Sequence, residues 1–131
     1  MIDHLSTYTV DFERAQAFYD RVLGALGYQR TAGLVATWDA EFLNRRMAAY
    51  GPNGKRVLWL IEVKDKPTPR HVAFSAPSRQ HVTAFFETAL AAGGVDNGGP
   101  GGREQYHPTY FGAFVIDPDG NNIEAVFYGK E

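Results

Sequence analysis

The feature that most constrains this chain is an internal repeat. At an offset of 67 positions, residues 4–28 lie over residues 71–95 without a gap. Six of those 25 positions are identical: His4/His71, Ala17/Ala84, Phe18/Phe85, Leu23/Leu90, Ala25/Ala92 and Gly27/Gly94. Leu5/Val72, Tyr19/Phe86 and Asp20/Glu87 are conservative pairs. Self-similarity at a fixed period marks a structure built from a repeated unit, and the repeated unit here has one pattern of elements.

Each copy opens with a short strand-like run and continues into a helix. In the first, Asp11 is the expected N-cap, and Ala15, Phe18, Tyr19, Val22, Leu23 and Leu26 have the spacing of one buried helical face. In the second, Pro77-Ser78 opens the helix, Val82, Phe85, Phe86, Ala89 and Leu90 take the equivalent places, and Gly93-Gly94 closes it. Runs with β character follow: Tyr28–Thr31, Val35–Asp39, Arg46–Tyr50 and Val57–Val63 in the first half, Tyr110–Ile116 and Asn122–Tyr128 in the second. The turns Gly51-Pro52-Asn53-Gly54 and Asp117-Pro118-Asp119-Gly120-Asn121 join strands. The polar, proline-interrupted stretch 64–69 reads as a connector, giving one domain over 1–131 with halves 1–63 and 70–131. Residues 93–102 hold six of the 14 glycines and read as a mobile lid or a long hairpin connection.

The chain has no cysteine, which excludes disulfides, thiolate zinc sites, iron–sulfur clusters and a cysteine nucleophile. Thirteen Lys+Arg against fifteen Asp+Glu leave a net charge of -2, and no basic run exceeds Arg45-Arg46, so a nucleic-acid partner is not expected. No apolar run approaches a membrane span and no basic n-region precedes an apolar stretch, so the expectation is a soluble, cytoplasmic protein.

Four histidines are present, and His4 and His71 start the two copies. On a strand His4, Ser6 and Tyr8 share a face, as do His71, Ala73 and Ser75. The last strand of each half carries a glutamate, Glu62 and Glu124, at spacings of 58 and 53 from those histidines. Glu124 stands in the apolar run 122–127, where a carboxylate needs a partner, and a divalent metal is one that satisfies it. Two His and one or two carboxylates without thiolate suit Zn, Fe, Mn, Co or Ni. The strand parity around Glu62 also permits Trp59 and Ile61 to face inward instead. His107 is either a substrate-contacting or proton-shuttling group or a capped loop residue. Tyr106 and Tyr110 stack on a ligand or pack at a strand edge, Trp38, Tyr50 and Trp59 line a pocket or fill the core, and His81 and Arg45-Arg46 are expected at the surface.

Asp3-His4-Leu5, the segment Phe18–Tyr28, His71-Val72-Ala73-Phe74 and Asp117–Glu124 together resemble the vicinal oxygen chelate superfamily, which includes glyoxalase I, bleomycin- and fosfomycin-resistance proteins, extradiol dioxygenases and methylmalonyl-CoA epimerase. The resemblance spans essentially the whole chain. It implies an α+β fold of two βαβββ modules forming an eight-stranded, incompletely closed barrel around a divalent metal. It also implies His4, His71 and Glu124 as metal ligands, with Glu62 or an apolar residue at the fourth place, and Glu124 or Glu62 as the base. The implied activity is a glyoxalase-like lyase or isomerase acting on a small oxygenated substrate, in a homodimer. The alternatives are a metal-free binding protein of the bleomycin-resistance kind and, third, an extradiol-type dioxygenase.

Overall fold

The computed structural model describes residues 1–130; Glu131, the last residue of the second half, lies outside them. The elements run β1 (Leu5–Thr9), α1 (Phe12–Gly24), β2 (Gln29–Ala36), β3 (Arg45–Gly51), β4 (Leu58–Glu62), β5 (His71–Ser75), α2 (Arg79–Ala91), β6 (Val95–Asp96), β7 (Gly101–Gly102), β8 (Tyr110–Ile116) and β9 (Asn122–Tyr128). The two helices are offset by the same 67 positions as the sequence repeat. Each starts on a side-chain cap: Asp11 Oδ1 accepts from the Arg14 amide at 3.3 Å and Ser78 Oγ from the His81 amide at 3.2 Å. His81 is thereby tied into its own helix start, its Nδ1 2.7 Å from Ser78 Oγ.

The fold is α+β, two βαβββ modules whose sheets do not close into a barrel. The first sheet has the order β1-β4-β3-β2, with β1 and β4 parallel and the others antiparallel. The second has the order β5-β9-β8-β6, with β7 on β8, and β5 parallel to β9. Two expected runs of the first half form one strand: β2 is continuous through Ala32 and Gly33, with a register shift between Arg30 and Ala32. A bulge absorbs the break in pattern that made the run look like two strands. Thr37–Asp39 leave the strand for a turn in which Asp39 Oδ1 accepts the Glu41 and Phe42 amides.

Of the two readings of the glycine-rich stretch, the structure has the long hairpin connection. Two short strands pair it to β8, and Arg103 staples it there, donating to the carbonyls of Gly99, Gly101 and Gly112 at 2.7–3.1 Å. Gly94 is required by close packing: a Cβ there would lie 2.5 Å from Val115 Cγ1 and 3.2 Å from Phe18.

One core serves both halves. Phe18, Tyr19, Val22 and Leu23 of α1 and Val82, Phe85 and Ala89 of α2 pack together over the inner strands, each large side chain worth about 1.5–3 kcal/mol on burial. Alternate strand residues face the other way and form each sheet's open face. That parity decides which candidate residues can meet.

Candidate functional site

On the second sheet Ile123 and Ala125 point into the core, so Asn122, Glu124 and Val126 take the open face. Ala73 pairs with Glu124 and His71 with Asn122, placing His71 on the same face. His71 Nε2 lies 3.2 Å from Glu124 Oε1, and Glu124 is only 2% exposed. Together with Tyr106, Tyr110, Phe114 and Asn122 these two residues line an open pocket of about 320 Å³.

Hydrogen-bond accounting around the pair is informative. His71 Nδ1 is 3.0 Å from the Asn122 main-chain carbonyl, an acceptor, so Nδ1 carries a proton and Nε2 is the ring nitrogen turned toward Glu124. Glu124 Oε2 accepts from the Tyr110 hydroxyl. Between Nε2 and Oε1 belongs a positive charge: either a second proton on the imidazole, donated to the carboxylate, or a metal cation bound by both. Their spacing is that of neighbouring donors on one ion, roughly 3 Å when each bond is about 2.1 Å. Asn122 Oδ1 is buried without a hydrogen-bond partner beside them. The donor set fits a divalent cation of the borderline kind, nitrogen and oxygen with no sulfur.

The other candidates stand elsewhere. Glu62 pairs with Thr9 in register and faces the helix side of the first sheet. Arg46 claims it: Nη2 donates to Oε2 at 2.7 Å, while Nε and the amide donate to Oε1. These bonds hold the Glu62 carboxyl below its ordinary range. The residue in the place of Glu124 is instead Trp59, which pairs with Ser6 as Glu124 pairs with Ala73. His4 is exposed ahead of β1, its Nδ1 2.6 Å from Asp3.

His4 and His71 belong to opposite ends of the seam between modules. Tyr8, at the far end of β1, lies beneath the Arg70 guanidinium at 4.8 Å, next to the start of β5. Leu5, at the near end, shares an apolar cavity of about 260 Å³ with Ser75 at the end of β5, where the Tyr28 hydroxyl bonds the Ser75 carbonyl. The two edge strands thus run in opposite directions. Among the described residues no three His, Asp or Glu side chains gather into a metal-holding group.

His107 is a loop cap: Nδ1 accepts the Thr109 amide at 3.2 Å, and the ring packs edge-on to Tyr128. Tyr50 is buried in the core with its hydroxyl on Asp20, 2.9 Å away, whereas Trp38 is 71% exposed. Tyr110, expected to stack on a ligand or pack at a strand edge, donates to Glu124, and Gly112, to which the sequence alone assigns no role, lies beneath both. A glycine inside an apolar strand was the available signal for the second.

A family model, Glyoxalase/Bleomycin resistance protein/Dioxygenase superfamily, matches residues 1–125. The chain belongs to that superfamily. Its fold is shared by a glyoxalase/bleomycin resistance protein from Albidiferax ferrireducens T118, with 24% identity, TM-score 0.72 and 98% of this chain covering 99% of that one. It is similar, at 17% identity and TM-score 0.68 over 98% of this chain and 93% of the other, to a point mutant of the genomically encoded fosfomycin resistance protein FosX from Listeria monocytogenes. That structure is a complex with Mn(II) and 1S,2S-dihydroxypropylphosphonic acid. A glyoxalase-related enzyme from Fulvimarina pelagi shows the same superfamily fold at 20% identity and TM-score 0.66, over 97% of this chain and 87% of that one. No curated protein matches the sequence. No helix among the described residues is long and apolar enough to cross a membrane.

Proposed function

We propose that this superfamily member is a metal-dependent enzyme of the glyoxalase-like, lyase or isomerase kind, acting on a small molecule with neighbouring oxygens. The observation that carries the reading is the approach of His71 Nε2 to the buried Glu124 Oε1, 3.2 Å apart on the open face of the second sheet. His71 and Glu124 would hold a divalent ion of Zn, Ni, Fe, Mn or Co, with His4 of a second copy of the chain as third ligand. A homodimer belongs to the same proposal, supported by the opposite directions of β1 and β5, which keep one chain's own His4 and His71 apart.

A bound cation of this type acts as a Lewis acid on adjacent substrate oxygens. The chain's own side chains do the rest. The Asn122 carbonyl orients His71, Tyr110 holds one oxygen of Glu124, and Tyr106 and Phe114 provide apolar wall for the substrate. Of the three groups expected to carry a proton, Glu124 is the one in the pocket, and it is the proposed base. Glu62 is bound by Arg46, and His107 Nδ1 is bound by the Thr109 amide. A cytoplasmic location belongs to the same proposal and rests on the sequence alone.

Elemental analysis of protein purified without chelator tests the reading. The expected result is about one divalent metal per chain, lost in the His71→Ala, Glu124→Ala double mutant. Wild-type protein that is metal-free and takes up none of Zn, Ni, Co, Mn or Fe overturns it and leaves the metal-free ligand-binding alternative.

A further inference from the structure

Glu124 is held from two sides, and the second is a built device. Tyr110 faces Tyr128 across the β8–β9 ladder, whereas Glu124 faces Phe114, four residues further along β8. Four residues of strand span about 13 Å, so the Tyr110 side chain must lie along the strand to reach the carboxylate. It crosses position 112, which is glycine. A Cβ there would stand 3.0 Å from the Tyr110 ring and 3.2 Å from Glu124 Oε2, tighter than either group comfortably accepts. Tyr106 and Tyr128 brace the ring from its sides, edge-on, each with its centroid 5.2 Å away. The Tyr110 hydroxyl donates to Glu124 Oε2, an acceptor-only oxygen.

We propose that Tyr110 is a positioning residue that locks Glu124 so that a single carboxylate oxygen faces His71, and that Gly112 is the notch making this possible. The inference rests on the reading of His71 and Glu124 as holders of a metal. With Oε2 occupied by Tyr110, Glu124 can offer a cation only Oε1, and a coordination place that a two-oxygen carboxylate would fill stays available to the substrate. Removing the hydroxyl frees the carboxylate to turn.

The test is a Co(II) titration of the full chain, freed of metal beforehand, for wild type, Tyr110→Phe and Gly112→Ala. The readouts are the dissociation constant and the visible absorption spectrum, with a thermal melt of each variant. Tyr110→Phe is expected to weaken Co(II) binding about 10–100-fold, the usual loss when a group that orients a ligand is removed, and to alter the spectrum. Gly112→Ala keeps the hydroxyl but displaces the ring, and is expected to alter the spectrum in the same direction. A folded Tyr110→Phe with wild-type spectrum and affinity overturns the role of Tyr110 and leaves the metal reading standing. A wild type that binds no Co(II) removes both. If Tyr110→Phe does not fold, Gly112→Ala decides: an unchanged spectrum overturns the proposal, and a shifted one supports it.

Discussion

The Glu62 carboxylate and the Glu124 carboxylate occupy last strands of equivalent modules, yet one lies against a guanidinium and the other beside an imidazole. A single step of parity separates them. Because Thr9 pairs with Glu62, the glutamate points toward α1, where Arg46 binds both its oxygens and reaches Glu13 at 3.4 Å. The residue therefore bears on stability rather than on the site. Arg46 lowers the Glu62 pKa beneath its ordinary 4.5, so on acidification the unfolded chain takes the proton first. The contribution is whole above about pH 4.5 and is lost as pH falls through the lowered value. Arg46 is 40% exposed, and solvent screening limits the pair to about 1 kcal/mol. Glu62→Gln is expected to lose about that much in urea melts at pH 7, to converge with wild type as pH falls through the lowered Glu62 value, and to bind metal unchanged. A lost metal would return Glu62 to the site.

At the scale of elements, the turn between β8 and β9 joins the modules. Buried Asp117 accepts the Asp119 and Asn121 amides on Oδ1 and the Asn121 amide nitrogen and Tyr19 hydroxyl on Oδ2. Burial in turn raises the Tyr19 pKa well above its usual value, with the charge of Asp117 adding to it, so the phenol stays a donor. Asn121 Oδ1 accepts the Arg70 amide at 2.8 Å, setting the start of β5 and hence His71 against β9. Gly120, at φ +90°, supplies the left-handed residue that the tight turn needs. One segment of five residues thus ties α1, β5 and β9 together. Asp117→Ala would strip four donors of their acceptor at once and is expected to cost about 3 kcal/mol in denaturant unfolding. A cost under about 1 kcal/mol would mean that the network is replaced by water.

At the scale of the molecule, opposite strand directions at the seam keep a chain's own His4 and His71 apart, so the proposed three-ligand site draws on two copies. Mixing His4→Ala chains with Glu124→Gln chains tests it. If the ligands come from two copies, each mixed dimer contains one wholly wild-type set, and metal uptake returns to about one ion per mixed dimer. If all ligands belong to one chain, mixing restores nothing. The repeat made both helices and their faces legible from the sequence, because helical spacing survives without knowledge of neighbours. That His71 and Glu124 would meet on one face was legible for a different reason: His71 opens the second copy of the repeat, and Glu124 is a lone carboxylate in a largely apolar strand. What could not be read depends on cross-strand register or on reach. The bulge that makes β2 one strand, the Arg103 staple on the glycines, the parity of Glu62 and the path of Tyr110 over Gly112 all require two strands to be set side by side before they exist.

Trp59, standing where symmetry would put a second Glu124, has a consequence for the empty protein. Were that residue a carboxylate, a cup formed from the first module of one copy and the second of another would confine two like charges, repelling each other until a cation arrived. With tryptophan there, such a cup would contain one buried carboxylate, already shared within its own chain between the Tyr110 hydroxyl and the His71 ring. On the proposed reading, two copies would then associate before any ion is captured, and loading would follow assembly instead of being a condition for it.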